Sequence, residues 1–375
     1  MKIMTVFGTR PEAIKMAPLA LALGRDGRFE CCVCVTGQHR ELLDQVLDFF
    51  RIRPDADLDI MQEGLSLPQT ASRILLGMDR VIKEKKPDLV LVHGDTTTSF
   101  AAALAAFYNH VPVGHVEAGL RTGNKYSPFP EEMDRRLTAR IADLHFAPTE
   151  ENRAALIAEG IDPSRIYVTG NTAIDALNMV KSKSTAPAVM ALDGTKADLS
   201  RLESKRLMLL TCHRRENYGR NMNRILTAVR RIASDFPDVF VICPVHPSPE
   251  AKNACRLLEG TDNILLASPV PYADMLALLD RSYMLVTDSG GLQEEASALG
   301  IPTAVIRNET ERVEAVKCGA AVIAGVDEES VYSVLSRLLS DSAYYKTMAA
   351  HRNLYGDGRA CERIIALLAE YEKVF

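Results

Sequence analysis

The chain has 375 residues, 47% hydrophobic and 25% charged, with a net charge of −5 from 44 basic and 49 acidic residues. That length favours two domains, and the sequence carries neither a Lys/Arg stripe suited to nucleic acid or anionic lipid nor the roughly 20-residue apolar run of a membrane span. An anionic ligand must therefore find its counter-charges inside a local pocket.

In chain order, "MKIMTVFGTRPEAIK" sets Arg10, Glu12 and Lys15 where a signal peptide needs apolar residues, which predicts a cytoplasmic protein. The same stretch reads as a strand, one glycine, and a helix opened by Thr9, Arg10 and Pro11. Proline suits the first helical position, and a helix N-terminus beside Arg10 and Lys15 suits phosphate; an ordinary strand–helix turn is the alternative. Neither GxGxxG nor GxxxxGK[ST] occurs, so a dinucleotide fingerprint and a P-loop are excluded. "FECCVCVTG" holds Cys31, Cys32 and Cys34 in a strand-like setting, with no second pair to complete a zinc site. The eight cysteines read as reduced structural thiols, and no metal is expected. "GQHREL", with His39, follows that strand, and "DADLD", Asp55 to Asp59, reads as a solvated loop despite its DxD pattern. "LVLVHGDTTTSFAAALAA" places Asp95 between a strand and an Ala-rich helix, where it is a helix cap or a functional acid. "PVGHVEAGLRTG" ends a short apolar strand on Glu117 and, four residues on, Arg121. Apolar strand ends usually meet a turn and water, so a carboxylate and a guanidinium there call for a reason.

"DLHFAPT" and "RIYVTGN" close the first strand series, and a second runs through "KRLMLLTCHR", "VFVICPVHP", "NILLASPV", "YMLVTDSGG", "IPTAVIR" and "AAVIAG". Strands alternating with helical stretches predict an α/β protein of two doubly wound parallel sheets. The halves meet near Asn171, and "KSKSTAPAVMALDGTKADLSRLESK" reads as a mobile polar lead-in to the second. In the second series His213, Arg214 and Arg215 end the first strand, and His246 follows the next. "DSGGLQEEASALG" ends a strand at Asp288 and leaves Ser289, Gly290 and Gly291 bare at a helix N-terminus, an anion cradle. Glu294 and Glu295, one turn in, suit a ribose diol. Ligands of such sheets sit beyond the carboxyl ends of the strands, which is where these polar residues lie.

With these segments in order, the chain resembles the non-hydrolysing UDP-N-acetylglucosamine 2-epimerases of bacteria. The resemblance runs nearly end to end, through "FGTRPEAIKMAPL", "LVHGDTTTS", "GHVEAGLRTG", "PFPEEMDRRL", "TGNTAIDAL", "HRREN", "DSGGLQEEA" and "ETERVEAV". It implies the GT-B architecture, two Rossmann-like domains facing a cleft, with residues 1–170 and the final helix 357–375 in one and 171–356 in the other. It implies reversible conversion of UDP-GlcNAc to UDP-ManNAc by elimination of UDP to 2-acetamidoglucal and re-addition, with no cofactor, in a homodimer. On matching positions, Asp95, Glu117 and Glu131 are the acid/base carboxylates, and His213 contacts the diphosphate side. Arg10, Lys15, Ser289, Gly290, Gly291, Glu295 and Arg312 bind substrate. Val270 and Met275, in the uracil-facing "SPVPYADML", differ from residues common in the family, which suits recognition of uracil by backbone groups. Gln38, Arg214 and His246 match positions implicated in activation by a second UDP-GlcNAc. A hydrolysing epimerase and a GT-B glycosyltransferase are the rival activities, and a nucleotide-sugar sensor the rival without chemistry.

Overall fold

A computed structural model describes residues 1–37, 40–62, 64–183, 189–192, 195–198, 202 and 204–371. The chain divides into two compact units, Met1–Met179 with Tyr355–Phe375, and Val180–Leu354. Where the sequence suggests a boundary near Asn171, the division falls inside the helix Thr172–Lys183.

The first unit carries seven parallel strands: β1 (Lys2–Phe7), β2 (Glu30–Val35), β3 (Ala56–Asp57), β4 (Leu89–His93), β5 (Val113–Val116), β6 (Leu144–Ala147) and β7 (Ile166–Val168). Their spatial order is β3-β2-β1-β4-β5-β6-β7. β4 is buried at every position, as expected of a parallel strand covered on both faces. The helix Thr97–Tyr108 packs closely against the helix Leu67–Lys85, and its buried face is largely alanine, which lets the two backbones approach. β3 is an addition to the expected series. Asp55 makes it possible by accepting from the Val33 N–H at 2.8 Å and donating its own N–H to the Val33 carbonyl at 2.8 Å. Asp57 pairs with Arg40 at 2.6 Å, so the "DADLD" stretch completes the sheet edge rather than forming a plain loop.

A two-stranded antiparallel sheet, β8 (Val189–Leu192) with β9 (Thr195–Asp198), lies in the stretch read from sequence as a polar lead-in. The second unit's parallel sheet follows: β10 (Arg206–Thr211), β11 (Val239–Pro244), β12 (Ile264–Ala267), β13 (Met284–Thr287), β14 (Thr303–Val305) and β15 (Ala321–Ile323), in the order β12-β11-β10-β13-β14-β15. In both sheets the strand order thus reverses between the first and fourth strands, β1/β4 and β10/β13, which are themselves parallel. Asp175 caps the C-terminal helix Ala360–Tyr371, accepting from the N–H groups of Ala360 at 3.1 Å and Cys361 at 2.9 Å, which ties the chain end to the first unit. Among the described residues, no helix is long and apolar enough to cross a membrane.

At the first reversal, Gly8 follows β1 with no room for a side chain. A Cβ there would stand 1.9 Å from Thr36 Oγ1 and 2.6 Å from Thr98 Oγ1, two hydroxyls hydrogen-bonded to each other at 2.9 Å. Both belong to β-branched residues with little rotamer freedom. Gly8→Ala is expected to cost about 1–3 kcal/mol, as overpacking does, read as a lower urea midpoint at unchanged m-value.

Candidate active site

The turn after β1 is built around a buried acid. Glu12 accepts from the Gly8 and Thr9 N–H groups at 3.0 and 2.8 Å, while the Thr9 side chain accepts from the Glu12 N–H in return. Thr96 and Ser99 add hydroxyl donors to the same carboxylate at 2.6 and 3.1 Å. Burial raises the Glu12 pKa and these hydrogen bonds oppose the rise. This reciprocal capping opens the helix Arg10–Arg25, with half-buried Arg10 at its first position and Lys15 inside its second turn.

From there Lys15, 5% exposed, ion-pairs with Glu117 at the end of β5. Glu117 is 8% exposed and also accepts from Asn171 Nδ2 at 2.8 Å, with His93 Nε2 at 3.7 Å. Its backbone sits in the left-handed region, φ 61°, which a non-glycine residue adopts only when its surroundings over-determine it. Lys15 and Asn171 supply that constraint. Glu117 of "VEAGLRTG" is therefore aimed by partners from two distant segments. Arg121 does something else. Its Nε and Nη2 clasp Glu159 at 2.8 Å each, so it braces the fold and does not turn toward the carboxylates.

One strand away, Gly94 (φ 65°) and Asp95 follow β4. An added Cβ on Gly94 would lie 3.5 Å from Glu117 Oε1, so the two strand ends meet there. Thr96, and not Asp95, caps the helix Thr97–Tyr108, accepting from the Ser99 N–H. The Asp95 carboxylate instead pairs with Arg135. Glu131 begins the helix Glu131–Ile141, and its field, like that of Asp95, acts on Asp134 one turn later. Asp95, Glu131 and Asp134 are thus one electrostatic cluster around Arg135, 2% exposed. The second glutamate of "PFPEE", Glu132, is spent on structure: it accepts from the Thr122 and Gly123 N–H groups and pairs with Arg135 and Arg136. The neighbouring histidines His115 and His145 pair across β5 and β6, and burial lowers their pKa values to about 3 and about 4. His115 Nε2 bonds to the Gly94 carbonyl at 2.7 Å, holding the turn that carries Asp95.

In the second unit, His213 and Arg214 follow β10 and Asp288 follows β13. Asp288, fully buried, accepts from the His213 and Arg214 N–H groups at 2.9 and 2.8 Å and from Asn217 Nδ2 at 3.0 Å. Its other oxygen lies 3.2 Å from His213 Nδ1, which leaves Nε2 as the nitrogen that can serve a ligand. The His213 and His246 rings stack at 5.7 Å. Ser289 precedes the helix Gly290–Leu299, whose first-turn N–H groups have no partner within the helix. Arg312 lies under this turn: a Cβ on Gly290 would come within 2.6 Å of its Nη1. Its guanidinium is held by Glu294 (2.9 and 2.6 Å) and Glu311 (2.6 Å). Arg307 bridges Glu311 to Glu216, both at 2.9 Å. Glu294 therefore braces Arg312, while Glu295 accepts from the Tyr272 hydroxyl at 2.7 Å. Val270 and Met275 pack into the apolar core of this unit. Gln38 and His39 lie outside the described residues. Among the described residues, no group of His, Cys, Asp and Glu is arranged to hold a metal ion.

Sequence reasoning missed Glu12, Asn171, Asp134, Asp288 and Tyr272 as parts of these sites. A polar residue just after a strand or in the first turn of the next helix was the usable signal for Glu12, Asn171 and Asp288. The buried Lys15–Glu117 pair also makes a quantitative prediction. Lys15→Met strands a buried carboxylate and is expected to cost about 3–5 kcal/mol of stability. Adding Glu117→Gln to it should recover much of that loss, as a double-mutant cycle in urea would show.

Residues 21–369 match the family model described as UDP-N-acetylglucosamine 2-epimerase. The UDP-N-acetylglucosamine 2-epimerase of Yersinia pestis is 49% identical over 99% of each chain, and that of Bacillus subtilis is 49% identical over 97% of this chain and 94% of its own. The S. aureus MnaA–UDP co-structure has a TM-score of 0.93 at 44% identity, covering 100% of this chain and 97% of that one. The Neisseria meningitidis UDP-GlcNAc 2-epimerase bound to UDP-GlcNAc has a TM-score of 0.92 at 41% identity, covering 99% and 100%. With the paired sheets, the strand-end carboxylates and likeness of this extent in both sequence and fold, the chain belongs to the UDP-N-acetylglucosamine 2-epimerase family.

Proposed function

We propose that this epimerase inverts C2 of UDP-GlcNAc to give UDP-ManNAc, reversibly, by eliminating UDP to 2-acetamidoglucal and adding it back. The observation that supports the reading is that Glu117, held with φ 61° by Lys15 and Asn171, lies beside Gly94 at the end of β4, next to Asp95, which shares a charge cluster with Glu131. The relatives named above supply the substrate class, since one is bound to UDP and another to UDP-GlcNAc.

The chemistry asks for such groups. A C2 hydrogen is too weakly acidic for direct removal, so departure of the anionic UDP must first make C1 cation-like. In UDP-α-GlcNAc the axial C2–H lies anti to the axial leaving oxygen, so a base is needed on that face. Return of the proton to the other face needs a second donor or a glucal that shifts. Asp95, Glu117 and Glu131 fill these acid and base roles as a set, each worth roughly 10²–10⁴-fold. Lys15 serves by holding Glu117, and Arg10 faces the phosphates. Stabilising the leaving diphosphate supplies much of the remainder. That role falls to His213, steadied by Asp288, and to the N–H groups at Ser289, Gly290 and Gly291, with Arg312 bracing the turn from below. Glu295, oriented by Tyr272, takes the ribose, and the backbone around Val270 and Met275 reads uracil. Gln38, Arg214 and His246 form the contact set for an activating second UDP-GlcNAc, and the active form is a homodimer.

Incubation with UDP-GlcNAc alone in D₂O, followed by proton NMR, is expected to give UDP-ManNAc carrying deuterium at C2. Accumulation of UDP with free sugar would instead identify a hydrolysing enzyme, and untouched substrate a transferase awaiting its acceptor or a sensor. Glu117→Gln should keep UDP affinity within a few-fold while deuterium incorporation falls by about 10²–10⁴-fold. Wild-type exchange in that variant would remove Glu117 from the chemistry.

A further inference from the structure

Asp134 is an acid that the reaction as drawn does not use, and its surroundings are unusual for a carboxylate. It lies three residues after Glu131, hence on the same helix face, and is 7% exposed. Thr97 Oγ1 donates to its Oδ2 at 3.2 Å from the first turn of the facing helix. The adjacent guanidinium, Arg135, directs its Nη2 to Asp95 and its Nη1 to Glu132, at 3.2 Å for the latter. The charged groups facing Asp134 are therefore Asp95 from the turn after β4, and Glu131 and Arg135 from its own helix. Two acids and one already engaged cation surround a third acid. Burial is the main cause that lifts the Asp134 pKa, to about 7, and the negative fields of Asp95 and Glu131 add to it. The Thr97 hydrogen bond and Arg135 pull the other way.

We propose that Asp134 is a positioning residue that holds a proton beside Asp95 and Glu131 and, by releasing it, resets the protonation of those two acids and so the pH range of epimerisation. This rests on the reading of Asp95 and Glu131 as acid/base groups. Carboxyls that interact this closely lose protons in shared steps that belong to the group rather than to one residue. While Asp134 is neutral, a charge on Asp95 or Glu131 meets less repulsion; once it ionises, its own charge opposes theirs.

Asp134→Asn tests this, because the amide keeps the size and can still accept from Thr97 but cannot ionise. In full-length protein labelled with ¹³C at aspartate Cγ, the wild type should show a carboxyl titrating near pH 7 that is missing from the variant. In the pH profile of kcat, the limb near neutrality should disappear while the acidic limb, in a range where Asp134 is already neutral, stays in place, with KM within a few-fold of wild type. A merely structural Asp134 would instead lower kcat evenly at every pH. Should Asp134→Asn fold poorly, Thr97→Val provides the second reading: loss of the donor destabilises the ionised form, so the neutral limb should move to higher pH. Absence of a carboxyl titrating near neutrality, or superimposable profiles for wild type and both variants, would overturn the proposal. Failure of the underlying mechanism is visible separately, as undiminished turnover in Asp95→Asn and Glu131→Gln, and the role of Asp134 would fall with it.

Discussion

The ion pair between Lys15 and Glu117 is the constraint on which the placement of the first unit's strand-end carboxylate depends. It joins the first helix to the end of the fifth strand across 102 residues of sequence, in a setting that excludes most water. Burying two charges is costly, and their attraction recovers that cost only when further hydrogen bonds complete the geometry. Asn171 completes it for Glu117. The pair is therefore better understood as a device that fixes a carboxylate in space than as a source of stability. The left-handed backbone at Glu117 points the same way, since strain of that kind persists where the surroundings impose it.

The second unit solves a different problem with the same means. Its helix N-terminus opens on two glycines, and an unsupported turn of glycines would give its N–H groups little fixed direction. Asp288 gathers the backbone after β10 from one side, while Arg312, clamped by Glu294 and Glu311, supports Gly290 from the other. Buried acids here organise main-chain donors and cationic side chains. In the first unit a buried cation organises an acid.

The two sheets were legible in the sequence because parallel strands covered on both faces read as unbroken apolar runs, and the polar residue ending each run marks the ligand side of the sheet. Asp95, Glu117, His213 and Asp288 all stand at such ends. The identity of each partner was not legible. Arg121 lies only four residues after Glu117, yet it turns to Glu159, while the partner of Glu117 is Lys15 from another element. "PFPEE" offers two glutamates, and only the fold shows that Glu132 anchors the preceding turn. β3 escaped notice because a two-residue edge strand has no periodicity, and what holds it is a side-chain bond from Asp55 to the neighbouring strand. Periodicity reports which face is buried; long-range pairing depends on three-dimensional closure, which local sequence does not encode.

The placement of Thr96 as the cap, one residue after Asp95, separates two duties that a single aspartate often combines. An acid that both gives up protons and anchors a helix would loosen that helix whenever it became neutral, coupling turnover to fraying. Here the Thr96 hydroxyl does the anchoring at every pH, so the helix keeps its cap whatever the neighbouring aspartate binds.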